Sequence, residues 1–413
     1  MRRAKPSAVA LVGAGMIFSA VAAGDEVVAG MSRERLERLD DHFHAYVDAG
    51  EIAGVVTYVS RHGQTIHQDA YGLADVDARR PMTGDTYFYV YSMTKPVTSV
   101  ALLILYEEGR FQLNEPIARY LPELANARVF DRDNGRVVDA VRQPTIEDVF
   151  RHTAGYLYGP QGDTDFDRAY REANLLGSNL AEFSQKLGQL PLGYQPGARW
   201  VYSVSHDVQA RLVEVLSGQP FDEFVRERIL EALDMTETVF GRPERLKNQF
   251  ATIYIENESG ALVPNGALDA PGAATRVLGG FSLSSTASDY ARFAEMLVND
   301  GELDGVRILS RKTVDLMASN HLPEGVTRGA AGGGTAGGEG YGLGVRVVLD
   351  PAKAHNVTSA GVFGWSGAAG THFFVDREEG LVGVFMIQKM GGGSGGPRMS
   401  AEFETLVYQA LVD

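Results

Sequence analysis

Ser92 and Lys95 stand three residues apart in the stretch Ser92-Met93-Thr94-Lys95. Apolar residues recur at helical spacing after them, and Gly109 ends the run. The pattern predicts a buried helix that carries both side chains on one face of its start. A serine hydroxyl is a weak nucleophile, and a neighbouring lysine amine can take its proton when the amine is neutral. We therefore interpret this pair as a candidate nucleophile and its base.

Tyr202 lies in the stretch Trp200–Asp207, just before a second predicted helix that Gly218 ends. A phenol at a helix start can point into a cleft and relay a proton beside a lysine. A tyrosine can equally be a packing residue whose hydroxyl is hydrogen bonded. The sequence by itself leaves both interpretations of Tyr202 open.

A third candidate element is the stretch Phe363–Thr371, which contains Trp365-Ser366-Gly367-Ala368. Small residues at a strand start let a substrate approach the backbone closely. A backbone N–H at such an edge can stabilise the oxyanion of an acyl-transfer reaction. The alternative is a glycine-rich turn in which Trp365 is a core residue.

The elements around these residues predict an antiparallel sheet. A helix capped by Ser32 precedes a hairpin of strands at 55–61 and 64–71, and a second hairpin pairs 371–375 with 381–388. A closing helix is expected at about 400–412, and residues 95–320 are mostly helical by pattern. The predicted fold is α/β of the α+β kind, an antiparallel sheet flanked by helices plus an all-helical region. A doubly wound parallel sheet is disfavoured because strands and helices do not alternate.

Composition narrows the possible functions. The 413 residues are 44% hydrophobic and carry a formal net charge of -15, which is typical of a globular protein with a large core. The acidic balance argues against nucleic acid as a partner. The chain has no cysteine, which excludes disulfides and thiolate chemistry. The nine histidines are scattered and no phosphate-binding loop is present, so no metal and no cofactor is predicted.

Residues 1–23 have the layout of a secretory signal peptide. Basic residues precede an apolar stretch from Ala8 to Phe18, and an Ala-x-Ala pattern follows at Ala20 to Ala22. We expect cleavage near Ala23, a periplasmic or secreted protein, and one domain over 24–413. The apolar stretch is too short for a comfortable transmembrane helix, so stable membrane insertion is not expected. The alternative is translation from Met31, which would leave the protein cytoplasmic.

Taken together, the three elements resemble the class C β-lactamase-like serine hydrolases, and most closely the family VIII carboxylesterases. Further stretches carry the resemblance over nearly the whole chain from Met31, including 72–75, 151–155 and 279–282. The resemblance implies a β-lactamase/DD-peptidase-like fold with Ser92 as the acylated nucleophile. It also implies that Lys95 and Tyr202 exchange the proton, and that the N–H groups of Ser92 and Ala368 form the oxyanion hole.

Two departures from the lactamase pattern favour esters as substrates. Val204 stands where the tyrosine motif of lactamases ends in asparagine, and Trp365 stands where their third motif begins with lysine. Losing an amide and a cation weakens recognition of β-lactams and D-Ala-D-Ala peptides. The prediction is a carboxylesterase for small or short-chain esters, with Tyr91, Val204 and Trp365 to Gly367 lining the pocket. A β-lactamase or D-amino-acid peptidase, and an acyltransferase, remain alternatives, and no oligomeric state is predicted.

Overall fold

The computed structural model describes residues 26–159, 162–266, 276–328, 337–391 and 395–413. The predicted signal peptide, residues 1–23, lies outside them. Among the helices of the described residues, none combines the length and hydropathy that crossing a bilayer requires.

Eleven α-helices are formed by the described residues: α1 Arg33–Asp48, α2 Thr94–Glu107, α3 Ile146–Phe150, α4 Asp165–Ala173, α5 Leu180–Leu187, α6 Ser205–Ser217, α7 Phe221–Val225, α8 Ala287–Val298, α9 Arg311–Met317, α10 Pro351–Ala354 and α11 Gly395–Tyr408.

The strands of the described residues are β1 Val27–Val28, β2 Met31–Ser32, β3 Gly54–Arg61, β4 Gln64–Asp75, β5 Arg80–Pro81, β6 Phe88–Tyr89, β7 Arg128–Asp131, β8 Arg136–Asp139, β9 Val239–Phe240, β10 Tyr254–Glu256, β11 Leu262–Pro264, β12 Leu283–Ser285, β13 Glu302–Leu303, β14 Val306–Arg307, β15 Glu339–Tyr341, β16 Arg346–Val348, β17 Phe363–Ser366, β18 His372–Asp376, β19 Leu381–Met386 and β20 Lys389–Met390.

The largest sheet has eight strands in the order β15-β16-β17-β18-β19-β3-β4-β5. All its neighbours pair antiparallel, and β19 pairs β3 from Leu381↔Arg61 to Met386↔Val56. Both predicted hairpins are present, and this central pairing joins the two ends of the chain. The predicted fold class is therefore confirmed.

Two helices from the ends of the chain cover the outer face of this sheet. The Ser32 hydroxyl accepts the Arg35 N–H at 3.1 Å, which caps α1 as predicted. Phe43 of α1 packs on Phe385 of β19, with ring centroids 4.7 Å apart, and α11 contributes Phe403 to the same core. The closing helix begins earlier than predicted, at Gly395.

The inner face of the sheet packs against the helical region. Tyr290 of α8 lies with its ring centroid 5.0 Å from that of Phe373 on β18. The apolar residues of α2 are buried almost throughout, and α2 packs against α6 within the largest core. Between residues 95 and 320, the regular elements of the described residues are helices with the short strands β7 to β14 between them. The inner face and α2 together position the site described next.

Candidate active site

Ser92 lies in a single 3-10 turn, Tyr91–Met93, immediately before α2 begins at Thr94. Tyr91 has a φ of +44°, a left-handed conformation that is unusual for a residue with a side chain. Two bonds hold the turn: the Tyr290 hydroxyl donates to the Met93 carbonyl at 2.7 Å, and the Val90 N–H donates to Leu283 at 3.0 Å. The turn therefore presents the Ser92 hydroxyl at the N-terminus of a buried helix.

Lys95 is fully buried in the first turn of α2. Its Nζ donates to Ser92 Oγ at 3.1 Å, to the Tyr158 hydroxyl at 3.0 Å and to the Gly280 carbonyl at 2.7 Å. All three acceptors are neutral oxygen atoms. The amine is thus desolvated and aimed at the Ser92 hydroxyl, which is the environment that a lysine base requires.

Tyr202 completes the predicted trio. Its hydroxyl donates to Ser92 Oγ at 2.7 Å, and Lys95 Nζ lies 4.6 Å from the centre of its ring. The segment that carries Tyr202 is anchored on both sides by His152, whose carbonyl accepts the Val201 N–H at 3.1 Å and whose Nδ1 accepts the Ser203 N–H at 3.2 Å. The hydroxyl of residue 92, the amine of residue 95 and the phenol of residue 202 therefore meet at one point.

Two further side chains belong to this site and were not predicted. Tyr158 accepts the hydrogen bond from Lys95, and burial, with the charges of Tyr202 and Asp207, raises the pKa of Tyr158 well above its usual value. Asp207 is fully buried, its Oδ1 accepts the Gly280 N–H at 2.9 Å, and burial raises its pKa to about 6 against the opposing charge of Lys95. No spacing in the sequence connects either residue to Lys95.

The strap Gly279-Gly280 explains how these groups approach each other. A Cβ on Gly279 would lie 2.1 Å from the His206 carbonyl oxygen. A Cβ on Gly280 would lie 3.1 Å from both the Tyr158 hydroxyl and an Asp207 carboxylate oxygen. A side chain at residue 279 is therefore excluded by the backbone of α6, and one at residue 280 would press on Tyr158 and Asp207.

β17 approaches the nucleophile from the other side. A Cβ on Gly367 would lie 2.5 Å from the Val90 carbonyl oxygen, so the strand end contacts the backbone just before the Ser92 turn. The Gly367 N–H donates a hydrogen bond to the Thr371 carbonyl at 2.7 Å, and the next residue, Ala368, is exposed. This placement brings Ala368 to the side of the Ser92 turn, where the resemblance expects the second oxyanion donor.

Trp365 is partly buried beside Tyr202, with ring centroids 5.6 Å apart, and it also contacts Tyr341 at 5.3 Å. It therefore forms an aromatic wall next to the Tyr202 phenol. The guanidinium of Arg328 lies 5.3 Å from the Trp365 ring, but its Nη1 is paired with Glu339 at 3.1 Å. The charge behind the wall is thus neutralised within the protein.

Three predicted pocket residues are placed differently. Val204 is fully buried in the largest core, so its side chain does not line the cleft. Ser366 follows Trp365 on β17, and consecutive residues of a strand point to opposite faces of the sheet. The Ser366 hydroxyl accordingly bonds to His372 Nδ1 at 2.9 Å, and His372 Nε2 bonds to Glu404 of α11. Tyr91 is buried in a small cluster with Tyr89, Ile253 and Ala369. Of the predicted wall, Trp365 and Gly367 contact this site.

With this geometry in place, comparison with known proteins identifies the family. The Beta-lactamase family profile matches residues 39–403 of the chain. The chain therefore belongs to the beta-lactamase family, and its resemblance to the serine esterases of that fold is confirmed.

Individual relatives fall into several activity classes. The chain is 36% identical over 351 residues to Protein Rv1367c of Mycobacterium tuberculosis, which covers 83% of the chain and 87% of the relative. It is 30% identical over 387 residues to Esterase EstB of Burkholderia gladioli, and the match covers 87% of the chain and 92% of the relative. The solved structure of EstCE1, described as a hydrolase with promiscuous acyltransferase activity, matches with a TM-score of 0.74 at 23% identity and coverages of 91% and 98%, which supports the fold. The chain is a beta-lactamase-fold serine hydrolase with esterase, acyltransferase and peptidase-like relatives.

Proposed function

We propose that the protein is a serine carboxylesterase that hydrolyses small or short-chain esters through an acyl-enzyme on Ser92. The observation that carries the proposal is the pair of contacts to one hydroxyl, 2.7 Å from Tyr202 and 3.1 Å from Lys95. Two proton-exchanging groups on a single serine suit acyl transfer, since the serine must lose a proton and the leaving group must gain one.

Acylation begins when Ser92 Oγ attacks the ester carbonyl carbon. The serine proton passes to the Tyr202 and Lys95 pair as the new C–O bond forms. The backbone N–H groups of Ser92 and Ala368 stabilise the oxyanion of the tetrahedral intermediate, and the start of α2 adds its positive dipole end. The bond to the alcohol then breaks, and the same pair returns the proton to the alcohol oxygen.

Deacylation repeats these steps with water. Water gives its proton to the Tyr202 and Lys95 pair and attacks the acyl carbon. The tetrahedral intermediate collapses, Ser92 Oγ leaves and recovers the proton, and the carboxylic acid is released. Asp207 and Tyr158 act as positioning residues in this scheme, because they contact Gly280 and Lys95 and not the reacting carbon.

The polarity of the cleft favours an ester over a carboxylate-bearing substrate. Trp365 is uncharged, and the nearby Arg328 is paired with Glu339. A β-lactam or a D-Ala-D-Ala peptide carries a carboxylate that gains most from a free cation. The peptidase and acyltransferase alternatives rest on relatives, including a putative D-alanyl-D-alanine carboxypeptidase of Escherichia coli at 26% identity.

A substrate panel tests the proposal. p-Nitrophenyl esters of rising chain length are measured beside nitrocefin and a D-Ala-D-Ala peptide, with and without an added alcohol acceptor. We expect kcat/KM for the best ester to exceed that for nitrocefin by at least about 100-fold, which corresponds to about 2.7 kcal/mol. Ser92→Ala should remove the activity, whereas Ser366→Ala is the matched control and should retain it. Efficient nitrocefin or peptide cleavage, or preferential transfer to the acceptor, would contradict the proposal.

We also propose that the protein is exported. The proposal is supported by the basic, apolar and small-residue order of residues 1–23. N-terminal sequencing of the protein made from its full gene is expected to start near Gly24. An intact Met1 or a start at Met31 would contradict export.

A further inference from the structure

A polar seam runs between α1 and β4, on the outer side of the sheet. Asp40 and His44 are one helical turn apart on α1, and His67, Asp69 and Tyr71 alternate along one face of β4. The spacings of Asp40 and His44, and of His67 and Asp69, are common and do not by themselves predict a site. The four side chains come together only because α1 packs on β4.

The structure brings the ligating atoms of this seam together. His44 Nε2 lies 2.8 Å from Asp69 Oδ2, and ligating atoms of Asp40, His44 and Asp69 all lie within 4.8 Å of one another. The His44 ring stacks on Tyr71 at a centroid distance of 3.8 Å, which fixes its orientation. The side chains of Asp40, His44 and Asp69 are each a little over one quarter exposed, so an ion can reach them from solvent.

A second observation concerns the carboxylate of Asp40. Asp40 Oδ1 is buried and accepts no hydrogen bond from any residue that the structure describes. His67 lies beside it, with its Nε2 3.2 Å from Asp40 Oδ1 and hydrogen bonded to the Thr57 hydroxyl at 2.9 Å. A partly buried carboxylate oxygen that accepts no hydrogen bond gains from a bound cation.

We propose that Asp40, His44 and Asp69 form a binding site for Zn²⁺ that ties α1 to β4. One imidazole nitrogen and two carboxylate oxygens are ligands that Zn²⁺ accepts in proteins, and water would fill the remaining position. Bonds of about 2.0–2.2 Å to each ligand require side-chain movements of about 1 Å from the present positions. In the present contact His44 Nε2 donates its N–H to the Asp69 carboxylate, so metal binding requires this proton to move to Nδ1 or to solvent, which frees the Nε2 lone pair for the metal. The proposal is independent of the esterase proposal.

Calorimetric titration of the EDTA-treated, dialysed protein with ZnCl2 tests this site. We expect one equivalent to bind the wild type, and His44→Ala and Asp69→Asn each to weaken binding at least tenfold. His42→Ala is the matched control, since His42 is on the same helix and bonds to a carboxylate, Glu402 Oε2, at 3.0 Å. It should bind Zn²⁺ as the wild type does. Unchanged affinity in His44→Ala, or equal weakening in His42→Ala, would mean an adventitious ion only and would overturn the site.

A second measurement uses the wild-type protein and does not depend on variants that fold. Crystals soaked in ZnCl2 are measured at the zinc absorption edge. An anomalous peak bonded to Asp40, His44 and Asp69 supports the site. A peak bonded to other residues, or no peak at saturating Zn²⁺, overturns it.

Discussion

Lys95 and Glu404 are both fully or almost fully buried ionisable side chains, and they lie on opposite sides of the same sheet. On the inner side, the three hydrogen-bond acceptors of Lys95 are neutral oxygens. On the outer side, Glu404 accepts from Arg346 at 2.5 Å and bonds to His372 Nε2 at 3.0 Å. The inner group therefore has only neutral hydrogen-bond acceptors, whereas the charge of the outer group is paired with Arg346.

Each side of the sheet also has a serine, Ser92 on the inner side and Ser366 on the outer side, and the two serines differ in their hydrogen-bond partners. Ser366, His372 and Glu404 form a hydrogen-bonded row of the residue types that many serine hydrolases use. In that row the acid is also bound by Arg346, which fixes its charge. Ser92 instead contacts two groups that can each gain or lose a proton near a helix N-terminus. The proposed function therefore assigns the nucleophile by the charges paired around each serine and not by the residue types in the row.

Lys95→Met gives the largest expected effect on the inner side. We expect kcat/KM for p-nitrophenyl butyrate to fall at least about 1000-fold, because the serine loses its base. The stability should change little, since an apolar chain of similar size replaces a buried amine whose hydrogen-bond acceptors are all neutral oxygens. Ester hydrolysis and urea unfolding of the same preparation check both parts. A strong loss of stability would show that Lys95 is a structural residue like Glu404, and the difference between the two buried groups would not hold.

Tyr202→Phe should lower kcat by about 100-fold or more and change KM much less, since proton transfer is lost while the ring stays in place. Steady-state kinetics over a series of ester concentrations measure the two constants separately. An effect confined to KM would assign Tyr202 to substrate binding only.

Glu404→Gln tests the outer side. Burial alone would raise the pKa of Glu404, but Arg346 and His372 outweigh it and lower the pKa to about 2. A lowered folded-state pKa stabilises the protein above about pH 4.5, and this contribution is lost as the pH falls toward 2. We expect the variant to lose about 3–5 kcal/mol at pH 7 and to retain its esterase activity at a permissive temperature. Urea unfolding at pH 7 and pH 3 measures this, and an equal loss at both values would contradict the assignment.

Asp207→Asn should raise the free energy of unfolding, whereas Glu404→Gln should lower it. Because burial raises the folded-state pKa of Asp207 to about 6, its ionisation destabilises the fold as the pH rises from about 4 to 6. Asparagine can still accept the Gly280 N–H and does not ionise. We expect the variant to gain up to about 3 kcal/mol relative to the wild type between pH 4 and pH 7. Urea unfolding across this range checks the sign, and a widening deficit above pH 6 would contradict it.

The sequence predicted the parts of the site that depend on local spacing. Ser92 and Lys95 are three residues apart, and the resemblance added Tyr202. Tyr158 and Asp207 could not be predicted from spacing, because only the packing of α2, α6 and the Gly279-Gly280 strap brings them to Lys95.

The direction of individual side chains also could not be predicted from the sequence. Val204 and Ser366 are each close in sequence to site residues, yet Val204 enters the core and the Ser366 hydroxyl turns to His372. The hairpins and terminal helices were predictable because their hydrophobic periodicity and turn residues agree. The order of the eight strands depends on pairings between distant parts of the chain.

Mapping the acylated residue tests the central claim most directly. The wild-type protein is mixed briefly with p-nitrophenyl butyrate, quenched with acid, digested and analysed by mass spectrometry, with a fluorophosphonate probe in parallel. The account predicts one butyryl or phosphonyl group on the peptide that contains Ser92, and its absence in Ser92→Ala. A label on Ser366, or rapid ester turnover with Ser92 unmodified and dispensable, would contradict it.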